Sequence, residues 1–293
     1  MRGDSRQLLL TLLPGVGVIT VFLVLPSLYL VGMAFLSTGP YGLPTGPVSL
    51  QAFRELAGFG FLGWSPGNLY TLLRSIGQTL LATILVILIA YPAAYYITTR
   101  PVPWRPVLLL AVVVPSWTNQ VIRSVGWMNI FAPGTPVSDL AAALGLIAPE
   151  MGLFPSRFAV IVGLVYNFLP FMILPLYAAF ERLDTAQVEA ARDLYATPWA
   201  VFRHAVLPQT LPGLMAGTVL VAIPAFGMYV VTELLGGGRS LMVGNFVARQ
   251  FTQAGNWPLG AAGALIMIVV TLIGLKVLRD LGRRLGGDRE VVL

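Results

Sequence analysis

Apolar residues in this chain come in long blocks, at about 8–36, 71–98, 106–131, 157–180, 212–235 and 259–281. A bilayer core about 30 Å thick is crossed by roughly 20 apolar residues in a helix. The pattern therefore predicts an all-α polytopic membrane protein with six transmembrane helices, forming a single membrane domain over 1–293. Arg2 and Arg6 precede the first block, as in a signal peptide. The block is too long for one, holds Pro14 and Pro26 and lacks a clear small-x-small cleavage site, so an uncleaved anchor is expected.

The segments between the blocks differ in kind. Those at about 37–70, 132–156 and 236–258 are rich in Gly, Pro and aromatics, and stretches such as TGPYGLPTGP and FAPGTP read as turns. The segment 181–211 is instead charged and helix-forming, with EAARDLYATPWAVFRHAVLP running from Glu189 to Pro208. Asp184 and Gln187 have the spacing of a capping box. A helix starting near Thr185 sets Val188, Ala191, Leu194 and Tyr195 on one face, with Glu189, Arg192 and Asp193 on or beside the other. Thr197 before Pro198 starts a second short helix, which LPQTLPG is expected to stop before the fifth span. On pattern alone this loop is an amphipathic connector at the membrane surface.

Composition agrees with a membrane protein: 57% of residues are hydrophobic and 10% charged, with mean hydropathy +0.82. There is no cysteine, which excludes disulfides, cysteine-bound iron–sulfur clusters and a thiol nucleophile. His204 is the single histidine, too little for a metal site. Lys276 is the single lysine, and no GxxxxGK[ST] surrounds it, so the chain has no phosphate-binding loop and no ATPase site of its own.

The net charge of +6 comes from arginines at the ends of apolar blocks, with no aromatic-interleaved basic patch, so nucleic acid is not the expected partner. If both termini face the cytoplasm, the outside holds Arg54, Arg74, Arg123, Arg157, Arg239 and Arg249, and the other 12 of the 18 basic residues lie inside. The positive-inside rule favours that orientation.

The charged loop resembles the EAA loop of permease subunits of ABC importers: Glu189, Ala190 and Ala191 fill its first part, and Leu207 and Pro208 its last. YPAAYY at 91–96, VPSWTNQVIRSVGW at 114–127, YNFLPFMILPLYAAFERLD at 166–184 and GNWPLGAA at 255–262 look like the spermidine/putrescine branch of these permeases. The resemblance implies an inner-membrane subunit that performs no bond chemistry. Residues Glu189, Ala190, Ala191, Arg192, Asp193, Leu194, Tyr195 and Ala196 would form a coupling helix seated in a groove of an ATPase.

It also implies the partners: two ABC ATPase subunits that bind ATP and Mg, an extracytoplasmic substrate-binding protein, and a second homologous permease chain. A heterodimer is expected, with a homodimer as the alternative. This chain itself is expected to hold no cofactor or metal. The family glycine falls at Tyr195 here, and tyrosine resists positive φ, so the turn between the two loop helices is expected to be less sharp.

A passage for a flexible polycation should offer carboxylates and aromatic faces. Glu233 is the ionisable residue near the outer end of the fifth span, and such residues usually face a bundle interior or cavity. Phe226 and Tyr229, seven and four residues before it, would share its helical stripe. Trp117 and Asn119 in the third span, and Tyr166 and Asn167 in the fourth, are further candidates for the pathway. Related permeases handle amino-acid-like, phosphonate-like and opine-like solutes or metal ions, which are the alternatives for substrate. An ion-gradient-driven transporter would call for several carboxylates at mid-membrane, and this chain offers one candidate.

Overall fold

The computed structural model describes residues 12–60, 63–148, 150–194, 197–238 and 240–286. Tyr195 and Ala196 of the predicted coupling helix lie outside the described residues, as do Arg2, Arg6, Arg239 and Arg289 of the charge count. In chain order the helices are α1 (Leu12–Ala34), α2 (Gln51–Leu56), α3 (Gly67–Thr98), α4 (Trp104–Trp117), α5 (Gln120–Ile130) and α6 (Pro136–Ala143). They continue with α7 (Arg157–Glu181), α8 (Thr185–Leu194), α9 (Pro198–Phe226), α10 (Val230–Gly236), α11 (Val243–Thr252) and α12 (Trp257–Gly286). Helices α1, α3, α7, α9 and α12 are long and apolar enough to cross a membrane, and α4 with α5 makes a sixth span if that bent pair counts as one.

The chain divides into two compact units. The smaller takes the residues up to Tyr70 together with Phe246–Val269. Its core joins Met33 and Ala34 of α1 and Ala52 and Leu56 of α2 with Leu259, Ala261 and Ala262 of α12. An antiparallel hairpin, β1 (Leu36–Thr38) with β2 (Pro44–Val48), follows α1, and Thr38 Oγ1 donates to Asn256 Oδ1 at 3.2 Å. Predicted only as turns, this loop thus holds a hairpin and a helix.

The larger unit takes Thr71–Asn245 with the residues from Val270 on. Its core is an apolar seam of α3, α7, α9 and α10. The most extensive helix pair is α7 with α9. Gly213 and Gly217, four apart on one face of α9, make this possible. A Cβ added at Gly213 would lie 2.5 Å from Ala179 Cβ, and one at Gly217 would lie 2.5 Å from Met172 Sδ. Small residues at this spacing let two membrane helices pack backbone to backbone.

Three sequence expectations need correction. The third span, predicted as 106–131, bends by 93° between α4 and α5. Pro115 sits in a 3₁₀ turn, Thr118 is extended, and the Asn119 side chain accepts the Val121 N–H at 2.8 Å, so a new helix starts there in place of a continued one.

The fifth span, predicted as 212–235, breaks at Gly227 between α9 and α10. Met228 N–H turns back to Ala225 O, and the Thr232 hydroxyl lies 2.9 and 2.8 Å from Met228 O and Tyr229 O. Finally, LPQTLPG stops nothing: α9 runs unbroken for 29 residues from Pro198. Five residues just ahead of Pro208, Phe202–Val206, form a wider π turn, which relieves the clash a proline ring makes inside a tight helix.

Candidate functional site

Two polar regions lie at opposite ends of α9. At its start, α8 packs Val188 and Ala191 against Val201 and Ala205 in a small core of its own. Glu189, Arg192 and Asp193 are exposed, as the helical spacing predicted, and so is Ala190. Leu194, assigned to the buried face, is 80% exposed. It belongs to the last turn of α8 and is not among the residues packed in that core. Trp199, which stacks on Phe202 at 5.3 Å, is also largely exposed.

The start of α8 is capped, though not by the reciprocal box expected. Asp184 Oδ1 accepts the Ala186 N–H at 3.0 Å and Oδ2 accepts from Gln187 Nε2 at 2.9 Å. The Asp184 N–H goes instead to Gln209 Oε1 at 2.9 Å, which ties the loop helix to α9. A cavity of about 960 Å³ opens between α8 and the ends of α3 and α7. Glu189 and Arg192 line it from the loop, and Tyr95, Phe180 and Glu181 from the spans. Tyr177 donates its hydroxyl to Glu181 at 2.8 Å, and Arg105 stands 4.0 Å from the same carboxylate.

At the far end, the break after α9 changes the predicted pathway. Phe226 closes α9 and is buried, whereas Tyr229 caps α10 and is 44% exposed, so Phe226, Tyr229 and Glu233 do not share one helical stripe. Glu233 is half-buried. Its Oε2 accepts a 2.7 Å hydrogen bond from Asn245 Nδ2. Asn245 is fully buried, and the Met242 N–H, which Oδ1 accepts at 3.2 Å, marks that end of the amide as the oxygen; Thr232 Oγ1 lies 2.5 Å from the same atom. Nδ2 also reaches Tyr229 O at 3.3 Å.

The segment leading into α11 is held in turn by α3. Ser75 Oγ accepts the Val243 N–H at 2.8 Å, and Gln78 Nε2 donates to Ser240 Oγ at 2.6 Å. Sequence reasoning missed Asn245, since a lone Asn in a segment between two spans carries no spacing signal.

The other candidates have more ordinary positions. Trp117 is 75% exposed at the end of α4, and Asn119 spends its side chain on the α5 cap. Tyr166 stands edge-on to Trp127 at 5.5 Å, with the Arg123 guanidinium 6.0 Å from its ring, and Asn167 is buried within α7. Helix α10 packs on both α5 and α7, so the helix bearing Glu233 adjoins those bearing Asn119, Tyr166 and Asn167. Among the described residues, no group of three His, Cys, Asp or Glu residues is arranged to hold a metal.

The chain is similar to known transport proteins along most of its length. Residues 104–286 match the family described as "Binding-protein-dependent transport system inner membrane component". The chain is 34% identical over 278 residues to the Spermidine/putrescine transport system permease protein PotB of Salmonella typhimurium, covering 95% of this chain and 94% of the relative. Against PotB of Escherichia coli the identity is 35% over 263 residues, covering 90% and 92%. Among solved structures, a bacterial alginate ABC transporter in complex with alginate pentasaccharide-bound periplasmic protein has a chain of the same fold. Its TM-score is 0.76 over 97% of this chain and 96% of that one, at 17% identity. With the family match and near full-length identity in agreement, the chain belongs to the binding-protein-dependent transport system inner membrane components, as a multi-pass permease.

Proposed function

We propose that this permease moves polyamines, spermidine or putrescine, inward across the plasma membrane as one subunit of an ATP-driven importer. The observation that carries the reading is the identity to two PotB proteins over at least nine-tenths of the chain. In this reading the termini face the cytoplasm, in line with the arginine distribution. Two ATPase subunits bind ATP and Mg²⁺, a second related permease chain completes the passage, and an extracytoplasmic binding protein delivers the substrate.

Force enters through α8. Its exposed Glu189, Arg192 and Asp193, with the uncovered Leu194 and Trp199, form a charged surface with two apolar knobs that suits a groove on the ATPase. The covered Val188 and Ala191 bind the helix to the start of α9, so a push on the loop passes into a continuous span. At the other end of α9, the Glu233 carboxylate with the exposed Tyr229 ring offers a polyamine an anion and an aromatic face.

The test is uptake of labelled putrescine and spermidine by cells with and without this gene, with and without ATP depletion. Loss of ATP-dependent uptake in the deletion strain is the expected result. Unchanged uptake, in cells that express the gene and lack a redundant route, would exclude polyamines as the substrate. Replacing Glu233 with Gln should then reduce uptake in cells carrying the intact complex, and wild-type uptake in that variant would remove Glu233 from the pathway.

A further inference from the structure

We propose that a groove between α3 and α7 holds an acyl chain of a membrane phospholipid, whose phosphate is bound by Arg157. The inference is independent of which solute the permease moves. From α3 the groove is lined by Leu81, Leu85 and Ile89, four residues apart and so on one face. From α7 it takes apolar residues of the first turns, between Phe158 and Val165, together with Arg157. Its volume of about 520 Å³ lies within the range of small-molecule sites, roughly 300–1,000 Å³.

The shape and chemistry of the groove suit a lipid. Ile161 belongs to the core of the larger unit and Leu85, Val162 and Val165 pack against it, whereas Leu81, Ile89 and Phe158 are exposed, so the groove has a packed floor and an open rim. Its walls, residues 81–89 and 157–165, each run about 12 Å at 1.5 Å per residue. That is most of one leaflet of a bilayer core about 30 Å thick. Apolar walls give ordered water no hydrogen-bond partners, so the occupant along them is itself apolar.

Arg157 is the one lining residue that is not apolar, and it stands in a costly place. It is the first residue of α7, at the positive end of the helix dipole, where an anion is favoured and a cation is not. Among the described residues none offers its guanidinium a hydrogen bond or an ion pair. A phosphate there would be stabilised by the helix end and by the planar fork of the guanidinium together. The same arginine repels a polyamine. A neighbouring membrane helix would have to bring a carboxylate to this point, whereas a phospholipid carries the apolar chain and the anion in one molecule.

The experiment uses the whole transporter purified in detergent and dioleoyl phosphatidylglycerol with a photoactivatable group in one acyl chain. After illumination the cross-linked peptides are mapped. The competitors are unlabelled dioleoyl phosphatidylglycerol, dioleoylglycerol, which has the chains without the phosphate, and glycerol phosphate, which has the anion without the chains. Cross-links are expected within 81–89 and 157–165, displaced by phosphatidylglycerol, at least about tenfold less well by dioleoylglycerol, and not by glycerol phosphate.

Arg157→Gln should weaken lipid affinity at least about tenfold, the worth of a strong hydrogen bond to a charged group. Leu81→Trp, which sets an indole in the groove, should abolish these cross-links. Because the lipid would join α3 to α7, adding phosphatidylglycerol to delipidated transporter is expected to raise the thermal midpoint of the wild type and not that of Leu81→Trp. Equal displacement by dioleoylglycerol with unchanged affinity in Arg157→Gln would overturn the assignment of the phosphate. Cross-links spread evenly over the exposed faces of the spans would mean general lipid contact, and their absence from both segments would mean that another chain covers the groove; either result would overturn the site. If Arg157→Gln does not assemble, unchanged cross-linking in Leu81→Trp, a change at an exposed residue, would equally overturn it.

Discussion

At the loop end of α9, Val188 and Ala191 are covered by small apolar neighbours while Glu189, Arg192 and Asp193 stay in water; at the far end Thr232 and Asn245 are fully buried and Glu233 is drawn half inside. The first arrangement leaves charges solvated, so little desolvation is lost until a partner arrives. The second has already placed its polar groups out of water, and each must find a hydrogen bond within the chain. The contrast shows how one helical unit keeps solvated charge at one end and buried, hydrogen-bonded polar groups at the other. In the roles proposed above, the first arrangement suits docking to another protein and the second suits contact with a small cation.

Substitutions at each end probe that contrast, and the largest effect is expected at the covered face of the loop. Val188→Asp would force a carboxylate against Val201 and Ala205, at a cost of about 3 kcal/mol or more. Thermal unfolding in detergent should show a clear loss, and an unchanged midpoint would mean that α8 is not held by this core.

Next comes Glu189→Lys, one residue on and exposed. Stability should be unchanged, while ATP-dependent uptake falls at least about tenfold, equivalent to roughly 1.4 kcal/mol of lost coupling. Wild-type uptake with an intact complex would remove Glu189 from the coupling surface.

At the far end, Thr232→Val keeps the branched shape and removes the hydroxyl that meets Asn245 Oδ1. A loss of about 1 kcal/mol in stability is expected, readable as a lower thermal midpoint. The smallest effect belongs to Leu194→Ala. Because Leu194 is 80% exposed, stability should move by less than about 0.5 kcal/mol, while co-purification of the ATPase weakens. A large stability loss there would show that Leu194 is covered by the chain itself.

Much of this architecture was legible in the sequence, and the failures have physical causes. The apolar blocks located the long helices, and the three- and four-residue spacing of Val188 and Ala191 found the covered face of α8. Hydropathy reads through a break whenever the residues on both sides stay apolar. Asn119 as a cap and Gly227 as a stop are single polar or flexible residues inside apolar stretches, and the running average does not register them. Proline misled in the opposite direction at 207–213, where the π turn ahead of Pro208 let the helix continue. Glu233 stood out as a charge in an apolar setting, but the identity of its holder depended on a fold that brings residue 245 back to 233.

The unbroken course of α9 fixes a register between the two ends. Each residue of an α-helix advances the face by about 100°. One residue inserted between the π turn and Gly213 would therefore swing the Gly213 and Gly217 face away from α7, while leaving the loop below untouched. Four inserted residues would bring the face to within about 40° of its original direction, at an added length of about 6 Å. The span acts as a phased shaft, in which the angular setting of the face packed on α7 is specified by the number of residues between it and the loop.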